Sequence, residues 1–176
     1  GVTHGATMAG HVIDNIGDFN GDGIDDLILG TPKTSITAQN EEGAVYIYSG
    51  ADQTVLHTFS GVTPNEGFGS SVAGVGDTNG DGFPDFLIGA ESYDGTGTDL
   101  GRVQLYSGAD GSLLSEFIGT ADNQMLGKAL AGAGDWNNDG FDDFMLGNFS
   151  SEPVKIYSGI DGRVLSTFNR NGVLND

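Results

Sequence analysis

Apolar and polar residues alternate in short runs along the chain, and the runs recur in the same order three times. Val45 and Ile47, Val103 and Leu105, and Val154 and Ile156 keep a period of two, which turns one face of a strand toward a core. A Ser-Gly-Ala/Ile-Asp turn follows each pair, and then a further strand carrying Leu56 and Phe59, Leu114 and Phe117, or Leu165 and Phe168. Ahead of each pair stands a compact apolar run: Leu27-Ile28-Leu29, Phe86-Leu87-Ile88 and Phe144-Met145-Leu146. The earliest strand of each unit is built of small residues, Gly69 to Val75 in the second unit and Gly127 to Ala133 in the third. No stretch combines a helical period with helix caps. The pattern predicts an all-β chain of three four-stranded antiparallel units.

The units are a true internal repeat. GDFNGDGIDDLILG from Gly17 returns as GDTNGDGFPDFLIG from Gly76 and GDWNNDGFDDFMLG from Gly134. The period is near 58 residues and fills the chain, giving units at 1–60, 61–118 and 119–176 of a single repeat domain. Tandem four-stranded units predict β-propeller blades, with the small first strands lining a crowded axis. β-Solenoid coils are usually much shorter. Closed propellers have about 4–8 blades, so three form a partial ring. The expectation is closure by further blades of a longer parent chain, or by a homodimer completing a six-blade ring. In an up-and-down meander the acidic loops share one rim. The variable loops Thr31–Glu42, Ala90–Leu100 and Asn148–Glu152 share the other.

Composition sharpens this picture. Glycine numbers 31 of 176 residues and proline only 4, with 37% hydrophobic residues, which fits tight turns rather than disorder. Asp and Glu number 25 against 6 Lys and Arg, a net charge of −19. Such a surface repels phosphate backbones and disfavours nucleic acid. No apolar run approaches the ~20 residues of a membrane-spanning helix, so membrane insertion is not expected. Cysteine is absent, which excludes disulfides and thiolate metal sites.

The recurring acidic segment has the form D-x-N-x-D-G-x-x-D. Its members are Asp18, Asn20, Asp22, Gly23 and Asp26; Asp77, Asn79, Asp81, Gly82 and Asp85; and Asp135, Asn137, Asp139, Gly140 and Asp143. Oxygen ligands at positions 1, 3 and 5 and a glycine at 6 suit a tight loop around Ca²⁺. The position-7 carbonyls of Ile24, Phe83 and Phe141 and the position-9 aspartates complete each set. An EF-hand would need a glutamate at position 12 and a following helix; Leu29, Ile88 and Leu146 stand there, inside strand-like runs. Clustered carboxylates repel one another without a cation. Hard oxygen donors favour Ca²⁺ over transition metals, and Mg²⁺ prefers fewer protein ligands. The expectation is about three Ca²⁺ per chain. Extracellular-type sites bind at roughly 10⁻⁴–10⁻³ M, which points to a location outside the cell.

On these loops and their flanks the units resemble FG-GAP repeats, the blades of the integrin α-subunit β-propeller. Phe68-Gly69 and Ile88-Gly89-Ala90 stand at the FG and GAP positions of unit two. Ala9-Gly10 and Leu29-Gly30-Thr31-Pro32 stand there in unit one, and Leu126-Gly127 and Leu146-Gly147-Asn148 in unit three. The FG aromatic is missing from units one and three, and the third GAP is degenerate. The resemblance implies an extracellular adhesion or protein-ligand recognition module whose ligand face lies opposite the calcium rim. The alternative is a non-catalytic, carbohydrate-binding accessory domain of a larger secreted enzyme.

Catalysis is not expected. G-x-S-x-G, Walker and H-E-x-x-H motifs are absent, and the acids are committed to the loops. His4, His11 and His57 are scattered, with His57 on a strand surface. Asp25 and Asp142 read as solvated, and Trp136 as a packing residue. Asn148-Phe149-Ser150 matches a glycosylation acceptor. Tyr93, Glu91 and Asp94 are candidates for ligand contact on the variable rim.

Overall fold

In this computed structural model, residues 12–32, 42–149, 153–168 and 174–175 are described. His4, His11 and Ala9-Gly10, with most of the first variable loop, lie outside them. Every regular element among the described residues is a strand. β1 (Val12–Gly17), β2 (Asp26–Thr31), β3 (Ala44–Tyr48) and β4 (Val55–Ser60) form the first sheet in that order. β5 (Phe68–Gly76), β6 (Asp85–Ala90), β7 (Arg102–Tyr106) and β8 (Leu113–Ile118) form the second. β9 (Ala129–Gly134), β10 (Asp143–Gly147), β11 (Val154–Tyr157) and β12 (Val164–Phe168) form the third. The pairings between these twelve strands are antiparallel meanders. The all-β reading and the four-strand blades stand.

The third sheet departs from the repeat by a fifth strand. β13 (Leu174–Asn175) pairs antiparallel with the outer strand β12, setting Leu174 opposite Phe168. Leu174 and Asn175 cover the ladder edge that β12 would otherwise leave open.

The core lies between sheets, which is the reason the blades stack. Ile28, Val45, Ile47 and Phe59 of blade one pack with Val72, Phe86 and Ile88 of blade two. Leu87, Val103 and Leu105 of blade two pack with Leu126, Phe144 and Leu146 of blade three. Along β6, Phe86 and Ile88 thus face one neighbour and Leu87 the other, and all six residues of the strand are buried. That is why its sequence reads as a continuous apolar run. Each such side chain contributes about 1.5–3 kcal/mol on burial. The blade-one counterpart of Phe86, Leu27, is 39% exposed, since among the described residues no sheet packs on that face.

The axis explains the small first strands. A Cβ on Gly74 of β5 would stand 2.4 Å from the Asn15 carbonyl oxygen of β1. At the next junction a Cβ on Gly132 would meet the Gly74 carbonyl oxygen at 3.1 Å. The FG and GAP glycines meet farther along the same junctions. A Cβ on Gly30 would lie 2.2 Å from the Gly69 oxygen, and one on Gly89 would lie 2.8 Å from the Gly127 oxygen. The motif therefore marks backbone-to-backbone contacts between blades.

Candidate metal loops

Each acidic loop joins the first two strands of a blade. A bulge precedes it: the register shifts between Asn15 and Gly17, between Gly74 and Gly76, and opposite Asp143 and Phe144 in blade three. Gly17, Gly76 and Gly134 carry the positive φ that ends each strand there, at 75°, 75° and 63°. A bulge of this kind bends the strand and re-aims the loop beyond it. Inside the loop, positions 4 and 6 are both left-handed: Gly21 and Gly23, Gly80 and Gly82, Asn138 and Gly140. The sequence reading covered position 6 and missed position 4, although Gly, Gly and Asn there are the residue types that tolerate αL.

The two left-handed residues coil the backbone so that its N–H groups meet the loop's own oxygens. In loop one Asp18 Oδ1 and Asn20 Oδ1 both accept the Asp22 N–H, at 3.0 and 2.9 Å. Asp18 Oδ2 accepts the Gly23 N–H at 2.8 Å, and Asp22 Oδ1 accepts the Ile24 N–H at 2.9 Å. Loop two repeats this with Asp77 and Asn79 on the Asp81 N–H, at 3.1 and 2.9 Å, and Asp81 on the Phe83 N–H at 2.9 Å. Loop three repeats it with Asp135 and Asn137 on the Asp139 N–H, both at 2.9 Å, and Asp139 on the Phe141 N–H at 3.1 Å. One shared donor thus gathers oxygens of positions 1 and 3 side by side in all three blades.

Position 9 behaves differently. Asp26, Asp85 and Asp143 are fully buried. Asp26 Oδ2 accepts the Phe19 and Asn20 N–H groups at 3.0 and 3.2 Å, and its Oδ1 accepts the Gly50 N–H at 2.9 Å. Asp85 Oδ2 accepts from the Thr78 N–H and hydroxyl at 3.0 and 2.5 Å, and its Oδ1 from the Gly108 N–H at 3.0 Å. Asp143 takes the Trp136 and Gly159 N–H groups at 2.9 and 3.1 Å. Each therefore ties the start of its loop to the Ser-Gly turn between the third and fourth strands. Burial raises the Asp85 pKa, opposed by these bonds from Thr78 and Gly108. Among the described residues no three acidic or imidazole side chains stand ready-made about one point.

The donor set nevertheless fits a hard divalent cation. It is all oxygen, it is coiled identically three times, and the carboxylates of positions 1 and 5 stay at the surface or half-buried. The ions would be held by Asp18, Asn20, Asp22, Asp26 and the Ile24 carbonyl, and by their counterparts in blades two and three.

The smaller expectations divide. Trp136 meets Phe168 edge-on at 6.1 Å while half of it stays exposed, so it packs only in part. Asp25 is exposed, and its Oδ2 accepts from the Asn15 amide at 3.0 Å. Asp142 is not a solvated bystander: its Oδ2 accepts the Asp77 N–H of the neighbouring blade at 3.0 Å. On the opposite rim Glu91 pairs with Lys128, Asp94 Oδ1 accepts the Asp99 N–H at 2.9 Å, and Tyr93 lies under the Arg102 guanidinium at 4.3 Å. The buried Glu66 carboxylate pairs with Arg102 at 2.5 Å and caps the Val62 and Thr63 N–H groups at 3.2 and 3.3 Å. Gln124 caps Thr120 and Ala121 in the same way, at 2.6 and 3.2 Å. This connector device went unread in the sequence, although Asn65-Glu66 and Asn123-Gln124 recur one repeat apart.

The family described as FG-GAP repeat matches residues 15–48 and 68–106. Integrin alpha-V of Gallus gallus is 33% identical over 156 residues, covering 82% of this chain and 15% of that protein. Integrin alpha-5 of Xenopus laevis is 30% identical over 157 residues, covering 81% of this chain and 15% of that protein. A solved structure described as the Dos1 propeller overlays 90% of this chain and 46% of its own, at 14% identity and a TM-score of 0.46. The chain thus spans about 15% of the length of these curated relatives.

Proposed function

This chain is an FG-GAP repeat protein resembling the β-propeller of integrin α subunits, and on that premise we propose that it is a calcium-stabilised module for protein-ligand recognition outside the cell. The observation that carries the calcium reading is the threefold loop: three copies of one oxygen arrangement on one hydrogen-bond scheme. A bound ion relieves the repulsion among the carboxylates and fixes the hairpin between the first two strands of each blade. Sites of roughly millimolar affinity fill outside cells and stay empty in a resting cytosol, which is the ground for the location. The ions serve structure, and no residue set on either rim is assigned to catalysis.

Recognition is assigned to the opposite rim. A cavity of about 580 Å³ opens there between the connector at 61–67 and the loop at 91–101, lined by Thr63, Asn65, Ser92, Tyr93, Asp94 and Asp99. Glu66, which also lines it, is held by its ion pair with Arg102. The blade-one face bearing Ile13, Leu27 and Tyr48 is assigned to packing against a further blade or a second copy.

Calorimetric titration of chelator-stripped protein with Ca²⁺ and Mg²⁺ tests the proposal. Three sites filled at about tenfold over their dissociation constants add about 4 kcal/mol together, or roughly 10 °C in Tm for a chain of this size. Calcium heats without a matching magnesium response, and a Tm rise of that order, are expected. A flat titration with the same Tm in EDTA overturns the reading.

A further inference from the structure

Loops two and three are bonded to each other. Asp142, position 8 of loop three, accepts the Asp77 N–H on its Oδ2 at 3.0 Å and donates its own N–H to the Asp77 carbonyl at 3.1 Å. Asp77 is position 1 of loop two. The carboxylate reaches it across Gly76, where a Cβ would stand 1.9 Å from Asp142 Oδ2. The preceding residue, Phe141, lays its ring on Gly80, position 4 of loop two, where a Cβ would lie 2.7 Å from the ring. Phe141 and Asp143, on either side of Asp142, are themselves ion-holding positions of loop three. The segment that closes loop three is therefore the segment that grips the opening of loop two.

The other junction lacks this bracket. Position 8 of loop two is Pro84, which has neither an N–H nor a carboxylate. It only packs on Gly17, where a Cβ would lie 3.1 Å from its ring.

We infer that Asp142 is a positioning residue that couples ion binding in loops two and three and leaves loop one independent. This rests on the calcium reading above. An ion in loop three fixes residues 141–143, and the two hydrogen bonds of Asp142 then hold the Asp77 backbone where its carboxylate is needed. Loop two binds with less ordering left to do, and by linkage loop three gains the same factor from loop two.

Trp136, position 2 of loop three, makes the test site-specific. Its sensitised emission from Tb³⁺, a probe of oxygen-ligated cation sites, reports loop three. Disabling loop two with Asp81→Ala is expected to raise the loop-three midpoint by at least about fivefold, the lower end of ordinary coupling. Disabling loop one with Asp22→Ala should move it less than about twofold, within the range of uncoupled sites. In an Asp142→Ala background Asp81→Ala should leave the midpoint in place. Asp142→Asn, which keeps an acceptor for the Asp77 N–H, should restore the shift. A shift that is absent, or equal with and without Asp142, overturns the coupling alone. Absence of Trp136-sensitised emission at millimolar Tb³⁺ overturns the ion reading and the coupling together. Should Asp142→Ala fail to fold, Pro84→Asp carries the test: calorimetry should then show three coupled sites in place of one independent and two coupled, and an unchanged isotherm overturns the inference.

Discussion

The buried aspartate at position 9 is expected to stabilise the fold even where no ion is present. Take Asp26→Ala. The substitution removes the acceptor of three backbone N–H groups, those of Phe19, Asn20 and Gly50, at 3.0, 3.2 and 2.9 Å. A hydrogen bond to a charged group is worth about 1.5–3 kcal/mol. Asn20 and Gly50 lie at the surface, so water replaces part of what is lost. The net cost should be about 3 kcal/mol, with the Phe19 donor and the small cavity as its largest parts. Asp22→Ala, at an exposed position-5 aspartate, should cost under about 1 kcal/mol in chelator. The assay is urea unfolding followed by far-UV circular dichroism, with each variant measured in EDTA and in excess calcium. In EDTA, Asp26→Ala should lower the midpoint well below that of Asp22→Ala. In calcium both should fall further below the parent chain, since both then lose an ion ligand, and the gap between them should persist. Equal midpoints in EDTA would refute the argument that position 9 ties the loop to the Ser-Gly turn.

Packing and burial set three further outcomes. Phe86→Ala should cost about 4 kcal/mol, since Phe86 is fully buried and meets Phe59, Phe19 and Tyr106 at ring distances of 5.4, 6.2 and 5.8 Å; Leu27→Ala at the matching exposed site of blade one should cost about 1 kcal/mol or less, and equal urea midpoints would show that the blades do not share a core. Gly89→Ala should lose at least about 2 kcal/mol, because its Cβ would stand 2.1 Å from Ser71 Oγ and 2.8 Å from the Gly127 oxygen; thermal unfolding checks it. Tyr106 and Tyr157 have pKa values raised by burial above the usual 10.0. The folded chain then holds these protons longer than the unfolded one, so stability is retained below pH 10 and lost as pH rises beyond it; Tyr106→Phe and Tyr157→Phe should each delete a late step from the phenolate absorbance titration.

The strands were legible because period-two alternation and tandem repetition report burial directly. Val45 with Ile47 and Val103 with Leu105 stand where the alternation put them, fully buried between blades. The first strands were legible from their small residues, with ends displaced by a residue or two: β5 runs Phe68–Gly76 and β9 starts only at Ala129. The oxygen-rich loops were legible as loops, and their equal geometry comes from equal sequence. What escaped depends on contacts between distant segments. No local pattern says that Asp26 meets Gly50, that Glu66 meets Arg102, or that Asp142 reaches Asp77. Asp142 was misread for this reason: beside a ligand set it looks like spare charge, and only the neighbouring blade gives it a partner. The edge strand at Leu174–Asn175 escaped because two residues carry no period at all.

The glycine contacts at the axis have a geometric consequence. Neighbouring blades touch backbone to backbone at Gly74 and Gly132, while farther out Phe59, Phe86 and Tyr106 hold the same sheets a full ring apart. Each blade is therefore a wedge, thin inside and thick outside, and the turn from one to the next is set by that gradient in side-chain bulk. Curvature is thus encoded residue by residue: enlarging the inner edge would straighten the arc, and shrinking the outer aromatics would flatten it too.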